Sequence, residues 1–448
     1  MHRRIEKVAV LGAGTMGARI SAHLANAGVP SYLLDIVPPD ADGPMRNRIA
    51  SAGLEAAVKS KPAAFFEPSL AKLVTLGNFE DDLEKLAEVD WILEAVVEDL
   101  EIKRNLLRRI NVVRKPGTIV TTNTSGLPVA RIVTDFPEEF RRNWFGTHFF
   151  NPPRYMRLLE LIPTPDADAG AMETIAHFCD LRLGKGVVRA KDTPNFIANR
   201  IGTFSALNVM RLMQEMDLTV EEVDALTGTA VGWPKMATFR LTDMVGLDVL
   251  GHVVRNASAN IHDERSDLTL PDFFTAMLER KWLGDKTRGG FYKKQKSAEG
   301  EQRLALDWKT LEYRPQQRPK FPSLEMANSV ESLPERLHTL LAPSRDRANI
   351  FLWSVLSDLW TYAANRIGEI ADSAVEIDRA MKLGFNWDMG PFELWDAAGV
   401  AKTVQRMQVE GKPVSPTVEK LLASGEAGWY ADDPKAVSGR VYFDLRSS

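Results

Sequence analysis

Two groups of residues in this chain are of types and spacings that could do chemistry. His148 lies in the apolar run Trp144-Phe145-Gly146-Thr147-His148-Phe149-Phe150, and Glu160 follows twelve residues later in Leu158-Leu159-Glu160-Leu161-Ile162. An imidazole titrates near neutral pH and can take a proton from a hydroxyl. A carboxylate beside it would fix its tautomer and raise its basicity. A chain reversal through Pro152-Pro153 would bring the two together as a hairpin. Two other readings stay open: His148 packs as a core residue among Phe149 and Phe150, or Glu160 pairs with Arg154 or Arg157. The second group is the loop Gly12-Ala13-Gly14-Thr15-Met16-Gly17, with Asp35 placed 23 residues after Gly12. In such a loop Gly12 permits a tight turn, Gly14 lets the backbone approach a pyrophosphate, and Gly17 lets a helix pack on a sheet. The pyrophosphate would rest on the free N–H groups at Thr15 and Met16, where the helix begins. Asp35 can accept from both ribose hydroxyls and would repel a 2′-phosphate, and Ile36 follows it with no Arg to receive one. The loop therefore points to a dinucleotide, NAD over NADP.

Such a loop needs a strand before it and a helix after it. Residues 7–11 read as that strand, and Ile20, Leu24 and Ala27 give the helical spacing that Gly28 ends. Residues 31–35 read as the second strand, and 38–75 as helical and mixed. Further strands are expected at 91–97, 117–122, 144–150, 158–162 and 186–190, with an amphipathic helix at 101–113. Strands alternating with helices imply a doubly wound α/β domain of Rossmann type over residues 1–190. His148 would end a strand at the carboxyl edge, where open α/β sheets bind ligands. After Asp192 the pattern becomes helical, which places a first helical domain at 191–296. Residues 297–343, rich in Lys, Gln, Arg and Pro, read as a polar linker with one short helix. A second helical domain at 344–448 echoes the first. Val220-Glu221-Glu222-Val223-Asp224 corresponds to Ala374-Val375-Glu376-Ile377-Asp378. Trp233, Phe239, Asp243 and Gly246 correspond to Trp387, Phe392, Asp396 and Gly399, at an offset of 154 and then 153. The expected architecture is an α/β domain followed by two repeated, mainly α-helical domains that pack as a pseudo-dimer.

Composition narrows the function. The 448 residues carry 56 Lys and Arg against 60 Asp and Glu, a net charge of −4, which leaves no electrostatic footprint for nucleic acid. No apolar run is long enough for a membrane span. The apolar strand begins by Val8, so no signal or transit peptide is expected. Cys179 is the single cysteine, so an intrachain disulfide and a cysteine-based zinc site are excluded and a reducing, cytoplasmic location is expected. No metal is expected.

Several motifs together resemble the L-3-hydroxyacyl-CoA dehydrogenase family of fatty-acid β-oxidation. They are Asn123-Thr124-Ser125, His148-Phe149-Phe150-Asn151-Pro152, and the run Lys191-Asp192-Thr193-Pro194-Asn195-Phe196 continuing to Arg200. Gly289-Gly290-Phe291-Tyr292 and Gly390-Pro391-Phe392-Glu393-Leu394 carry the same likeness. The duplicated helical domain resembles the dehydrogenase portion of bacterial multifunctional enzymes, in a type where an enoyl-CoA hydratase domain follows. The resemblance implies NAD-dependent oxidation of (S)-3-hydroxyacyl-CoA, with His148 as general base and Glu160 as its orienting partner. It implies that Ser125 and Asn199 hydrogen-bond the 3-oxygen and the imidazole. Glu98, Lys103, Asn151 and Lys286 would contact the cofactor, and Ser51 and Lys59 would meet CoA. It also implies an enoyl-CoA hydratase or thiolase partner, with monomer and homodimer both open, as is truncation of a longer fusion. Oxidation of a free β-hydroxy acid and a non-catalytic place in a β-oxidation complex remain as alternatives. The sequence departs from the family at Asn195, where Gly is usual, and at Gly126, where Ser or Thr is common. It departs again at Ala237-Thr238, where Gly-Pro is expected. These departures bear on the shape of the acyl pocket more than on the reaction.

Overall fold

The structure is a computed structural model that describes residues 4–266, 269–297, 300–433, 435–436 and 440–444. The chain forms two compact units, residues 1–196 and 197–448.

The first unit is built on an eight-stranded sheet. Its strands are β1 (Val8–Leu11), β2 (Ser31–Asp35), β3 (Val74–Asn78), β4 (Trp91–Glu94), β5 (Ile119–Thr122), β6 (Trp144–Phe149), β7 (Leu158–Ile162) and β8 (Gly186–Arg189). Their order is β3-β2-β1-β4-β5-β6-β7-β8. β1, β4, β5, β6 and β7 are buried at every residue, as short apolar runs covered on both faces must be. The helices are α1 (Thr15–Asn26), α2 (Arg48–Val58), α3 (Leu100–Val113), the short α4 (Val129–Ile132) and α5 (Glu138–Arg142), and α6 (Ala169–Leu183). Asp99 caps α3 by accepting from the N–H groups of Glu101 and Ile102 at 3.0 and 2.9 Å. Neighbouring strands are parallel with one exception. β7 runs antiparallel to β6, and the register sets Glu160 directly opposite His148. A tight reversal after β6 therefore replaces the helical crossover that a parallel neighbour would require.

The second unit is mainly helical. It opens with α7 (Ala198–Glu215), α8 (Val220–Leu226), α9 (Ala237–Val245), α10 (Leu247–Asn260) and α11 (Asp272–Glu279). A three-stranded antiparallel sheet follows: β9 (Tyr292–Ser297), β10 (Gly300–Asp307) and β11 (Glu312–Pro315). Then come α12 (Pro322–Ala327), α13 (Leu333–Leu340), α14 (Arg347–Arg366), α15 (Ala374–Gly384), α16 (Pro391–Ala398), α17 (Val400–Val409) and α18 (Pro416–Ala423). The ribbon of β12 (Tyr430–Asp432) and β13 (Arg440–Tyr442) closes the described chain.

The segment expected as a polar linker is a correction: it holds most of that sheet and two helices. Several of its polar residues have partners. Arg314 reaches Glu221 through both terminal nitrogens at 2.7 and 2.9 Å, and Trp308 donates to the Leu218 carbonyl at 2.9 Å. Leu304, Ala305 and Leu306 are buried beneath them. A strand whose polar face is bound by ion pairs reads in sequence like a solvated tether.

The internal echo has a physical basis. Asp224 accepts from the N–H groups of Phe239 and Arg240 and from the Tyr292 hydroxyl, at 2.7, 3.0 and 2.8 Å. Asp378 repeats this with Phe392, Glu393 and Tyr430, at 2.9, 3.0 and 2.8 Å. The paired tryptophans, Trp233 and Trp387, stack on each other with centroids 4.6 Å apart.

His23, buried on α1, has Nε2 3.1 Å from the Leu183 carbonyl oxygen. Burial, helped by the charge of Lys185, pushes its pKa from 6.5 down to about 3. The unfolded chain takes up a proton there that the folded chain refuses, so stability falls as pH drops from 6.5 towards 3. His23→Gln keeps a donor for Leu183. It should flatten that dependence by one proton in urea titrations across this range, and an unaltered slope would show that His23 is protonated in the fold.

Candidate active site

β1 has β2 on one side and β4 on the other, which is where the strand order reverses. Ligands of open α/β sheets bind in the crevice beyond the carboxyl ends of such strands. The glycine loop follows β1 there. Gly12 has φ +100°, and a Cβ on it would stand 2.5 Å from the Ala95 carbonyl oxygen. A Cβ on Gly17 would overlap the Gly12 carbonyl. These two glycines serve the fold. Gly14 is different: its φ is −65°, it is exposed, and a Cβ on it would have nothing within 4 Å. The fold gives no reason for glycine at that position, whereas a ligand lying on the loop does. Thr15 and Met16 begin α1, and no side chain caps that end among the described residues, so its N–H groups can receive an anion. Asp35 ends β2 and accepts from Ala13 N–H at 2.5 Å and from Ile36 N–H at 2.7 Å. Its oxygens retain lone pairs for ribose hydroxyls. The residues present fit an adenine dinucleotide.

Three strands away, His148 Nδ1 lies 2.7 Å from Glu160 Oε2. Glu160 is fully buried and His148 is nearly so. Held against Glu160 through Nδ1, the imidazole has Nε2 left to meet a substrate. The Phe150 and Phe196 rings stand 4.5 and 5.5 Å from the imidazole. Arg154, the other partner considered for Glu160, instead donates to the carbonyls of Ala63 and Phe65 at 2.9 and 2.8 Å.

Between the loop and the imidazole lies a charge network that sequence reasoning saw only in part. Lys103 is buried, with Nζ 2.8 and 3.0 Å from the two oxygens of Glu94 and 3.2 Å from Glu98. Glu94 also accepts from the Thr122 hydroxyl and Val96 N–H, each at 2.7 Å. Glu98 accepts from the Thr124 hydroxyl and from the N–H groups of Ser125 and Gly126, the last two at 3.2 and 3.1 Å. Burial pushes the Glu98 carboxyl up, but the Lys103 charge and the Thr124 and Gly126 donors outweigh it and hold it below the usual carboxylate range. Glu94 was missed, although an isolated acid ending the run Trp91-Ile92-Leu93-Glu94, nine residues before a lysine, was a readable signal. Asn123 joins the same end of the sheet by accepting from Phe149 N–H at 2.9 Å.

The remaining expected positions fall on other elements. Asn151 accepts from Arg19, on α1, at 2.6 Å. Ser51 and Lys59 are exposed at α2, and Lys59 pairs with Glu55. Asn199, in the first turn of α7, and Lys286, paired with Asp248, belong to the second unit. Asn195 has φ +65°, which explains the departure from glycine: Asn is the residue that tolerates this region best after Gly.

Fold and site together define an NAD-binding oxidoreductase of the doubly wound α/β class. The model for the 3-hydroxyacyl-CoA dehydrogenase NAD-binding domain matches residues 7–193, and that for the C-terminal domain of the same family matches residues 196–294 and 352–430. The chain belongs to the 3-hydroxyacyl-CoA dehydrogenase family. It is 41% identical over 456 residues to a Bacillus subtilis protein named "Probable 3-hydroxyacyl-CoA dehydrogenase", covering 99% of this chain and 57% of that protein. It is 34% identical over 398 residues to a Rickettsia felis protein named "Putative fatty acid oxidation complex trifunctional enzyme", covering 88% of this chain and 53% of that protein. The chain thus spans little more than half the length of these relatives. A crystal structure of 3-hydroxybutyryl-CoA dehydrogenase from Escherichia coli superposes with a TM-score of 0.69, over 94% of this chain and 100% of that one. At 23% identity that likeness shows the fold alone.

The contrast among the glycines is testable. Gly14→Ser supplies a helix cap, so Tm should hold or rise while NADH affinity falls by about tenfold, or ~1.4 kcal/mol. Gly17→Ala should lower Tm. Matching Tm losses in both variants would mean that Gly14 is also required by the fold.

Proposed function

We propose that the chain oxidises (S)-3-hydroxyacyl-CoA to 3-ketoacyl-CoA as a step of fatty-acid oxidation. The observation that carries this reading is the buried His148–Glu160 pair, 2.7 Å apart, in a unit that also holds the dinucleotide loop. NAD, when bound, supplies the acceptor for the hydride that leaves C3. His148 Nε2 takes the hydroxyl proton as that hydride departs, and Glu160 holds Nδ1–H and offsets the positive charge that develops on the ring. The aromatic rings beside the imidazole keep water from it. Ser125 and Asn199 are the proposed hydrogen-bond partners of the 3-oxygen and the imidazole. Glu98, Asn151 and Lys286 are proposed to face the cofactor. Lys103, whose Nζ is directed at Glu94 and Glu98, acts by positioning Glu98. Ser51 and Lys59 are proposed to meet CoA from the exposed side of α2.

The relative named as a trifunctional enzyme supports a neighbouring hydratase or thiolase activity, on the same polypeptide or on a partner. Among the described residues no helix is long and apolar enough to cross a membrane.

The assay is NADH consumption with acetoacetyl-CoA. The protein should turn this substrate over. His148→Gln should lower kcat by about 10³-fold while NADH binding, read by fluorescence, is retained. Near-normal turnover in that variant would remove the base assignment. Binding of NADH without turnover in the unmodified protein would remove the dehydrogenase reading.

A further inference from the structure

An apolar cavity of about 170 Å³ lies within the second unit. Asn199 and Gly202 of α7 line it, with Thr238 and Leu241 of α9, Val253 of α10, and Phe385 beside Trp387 after α15. Both helical repeats therefore contribute to its wall. A Cβ on Gly202 would overlap the Phe385 ring, so the glycine is what lets the second repeat insert this ring one turn along α7 from Asn199. The departure from the family's Gly-Pro falls in the same wall. Ala237 and Thr238 both line the cavity, and Thr238 turns its hydroxyl to Thr227 at 2.8 Å, which leaves its methyl for the apolar side.

We propose that this cavity holds the alkyl tail of the acyl-CoA and that Phe385 sets the longest tail it accepts. The inference rests on the reading above, in which Asn199 holds the 3-oxygen: the carbons beyond C3 then continue from Asn199 into a space with little to offer a polar group. The volume fixes the class of tail. An engineered apolar cavity of about 150 Å³ stays dry and binds benzene, so this one takes about six carbons. Six carbons beyond C3 make a medium-chain acyl group. A longer tail meets the Phe385 ring, and the single carbon beyond C3 of an acetoacetyl group leaves most of the cavity empty.

The test is the chain-length profile of kcat/KM on the full chain, with acetoacetyl-CoA, 3-ketodecanoyl-CoA and 3-ketohexadecanoyl-CoA. Each methylene buried should raise kcat/KM by about fourfold from the first substrate to the second. The third should fall below the second. Phe385→Ala should raise the hexadecanoyl-to-decanoyl ratio by about tenfold or more, since a removed ring opens space for several carbons. Val253→Phe, from the facing helix, should lower the decanoyl-to-acetoacetyl ratio by a comparable factor. The second variant decides the matter should the first not fold. A flat profile between acetoacetyl and decanoyl substrates, with acetoacetyl-CoA turned over, overturns the cavity assignment and leaves the dehydrogenase reading standing. No turnover of any substrate overturns both.

Discussion

A carboxylate without solvent access sits 2.7 Å from an imidazole, and much of the first unit is arranged so that this pair can exist. Burying a lone carboxylate is costly, and a partner must be supplied at hydrogen-bond distance. The sheet supplies it by reversing one strand. Were β7 parallel to β6, the chain would need a crossover of a dozen residues or more, and Glu160 could not be set opposite His148 by so short a connection. Antiparallel pairing makes the contact a matter of register: His148 faces Glu160, Thr147 faces Leu161, Phe149 faces Leu159. A slip of one residue would turn Glu160 to the other face and leave both groups unpaired. The same reversal lets β8 rejoin the sheet parallel to β7.

The second constraint is the buried lysine. Glu94, Lys103 and Glu98 link the end of β4, the first turn of α3 and the loop after β5. Two carboxylates near one ammonium are tolerable because each also accepts neutral donors. Glu98 takes three of these from Thr124, Ser125 and Gly126, which holds that loop in place. Gly126, a departure from the family's usual Ser or Thr, contributes through its backbone alone, so the change costs the network nothing. Asp192 does similar work nearby, accepting from Val129 and Ala130 N–H at 2.8 Å each to begin α4. The conspicuous acids of the motifs thus hold backbone in place.

Legibility in the sequence followed burial and period. β1, β2, β4 and β5 read cleanly because each is a short, mainly apolar run, and the glycine loop reads because its spacing is local. The edge strand β3, Val74-Thr75-Leu76-Gly77-Asn78, did not: its exposed Thr75 and its glycine break the apolar run. β10 and β11 read as a tether because Lys, Gln and Arg are frequent around them, and only tertiary partners such as Glu221 distinguish a bound charge from a solvated one. The repeat is legible because its aspartates serve backbone donors at nearly equal separations, 15 and 16 residues on from Asp224 and 14 and 15 on from Asp378. Tyr292 and Tyr430 escaped the alignment. They arrive through segments of different length, 68 residues after Asp224 and 52 after Asp378.

Two left-handed residues show how a departure from a family pattern should be weighed. Asn195 at φ +65° and Ala237 at φ +56° both stand where glycine is expected. For Asn the conformation is cheap, because a short polar side chain tolerates it. For Ala it costs about 1 kcal/mol, with no such relief. Strain of that kind persists only where the surroundings over-determine it. Ala237 is almost fully buried, just after Trp233 and Pro234, and lines the apolar cavity beside Thr238. Glycine there would relieve the backbone and remove a methyl from the wall. A chain that accepts the strain gains a smoother apolar surface at the place where the tail is proposed to lie, so the position that looks least favourable in local terms is the one that supports a shaped pocket.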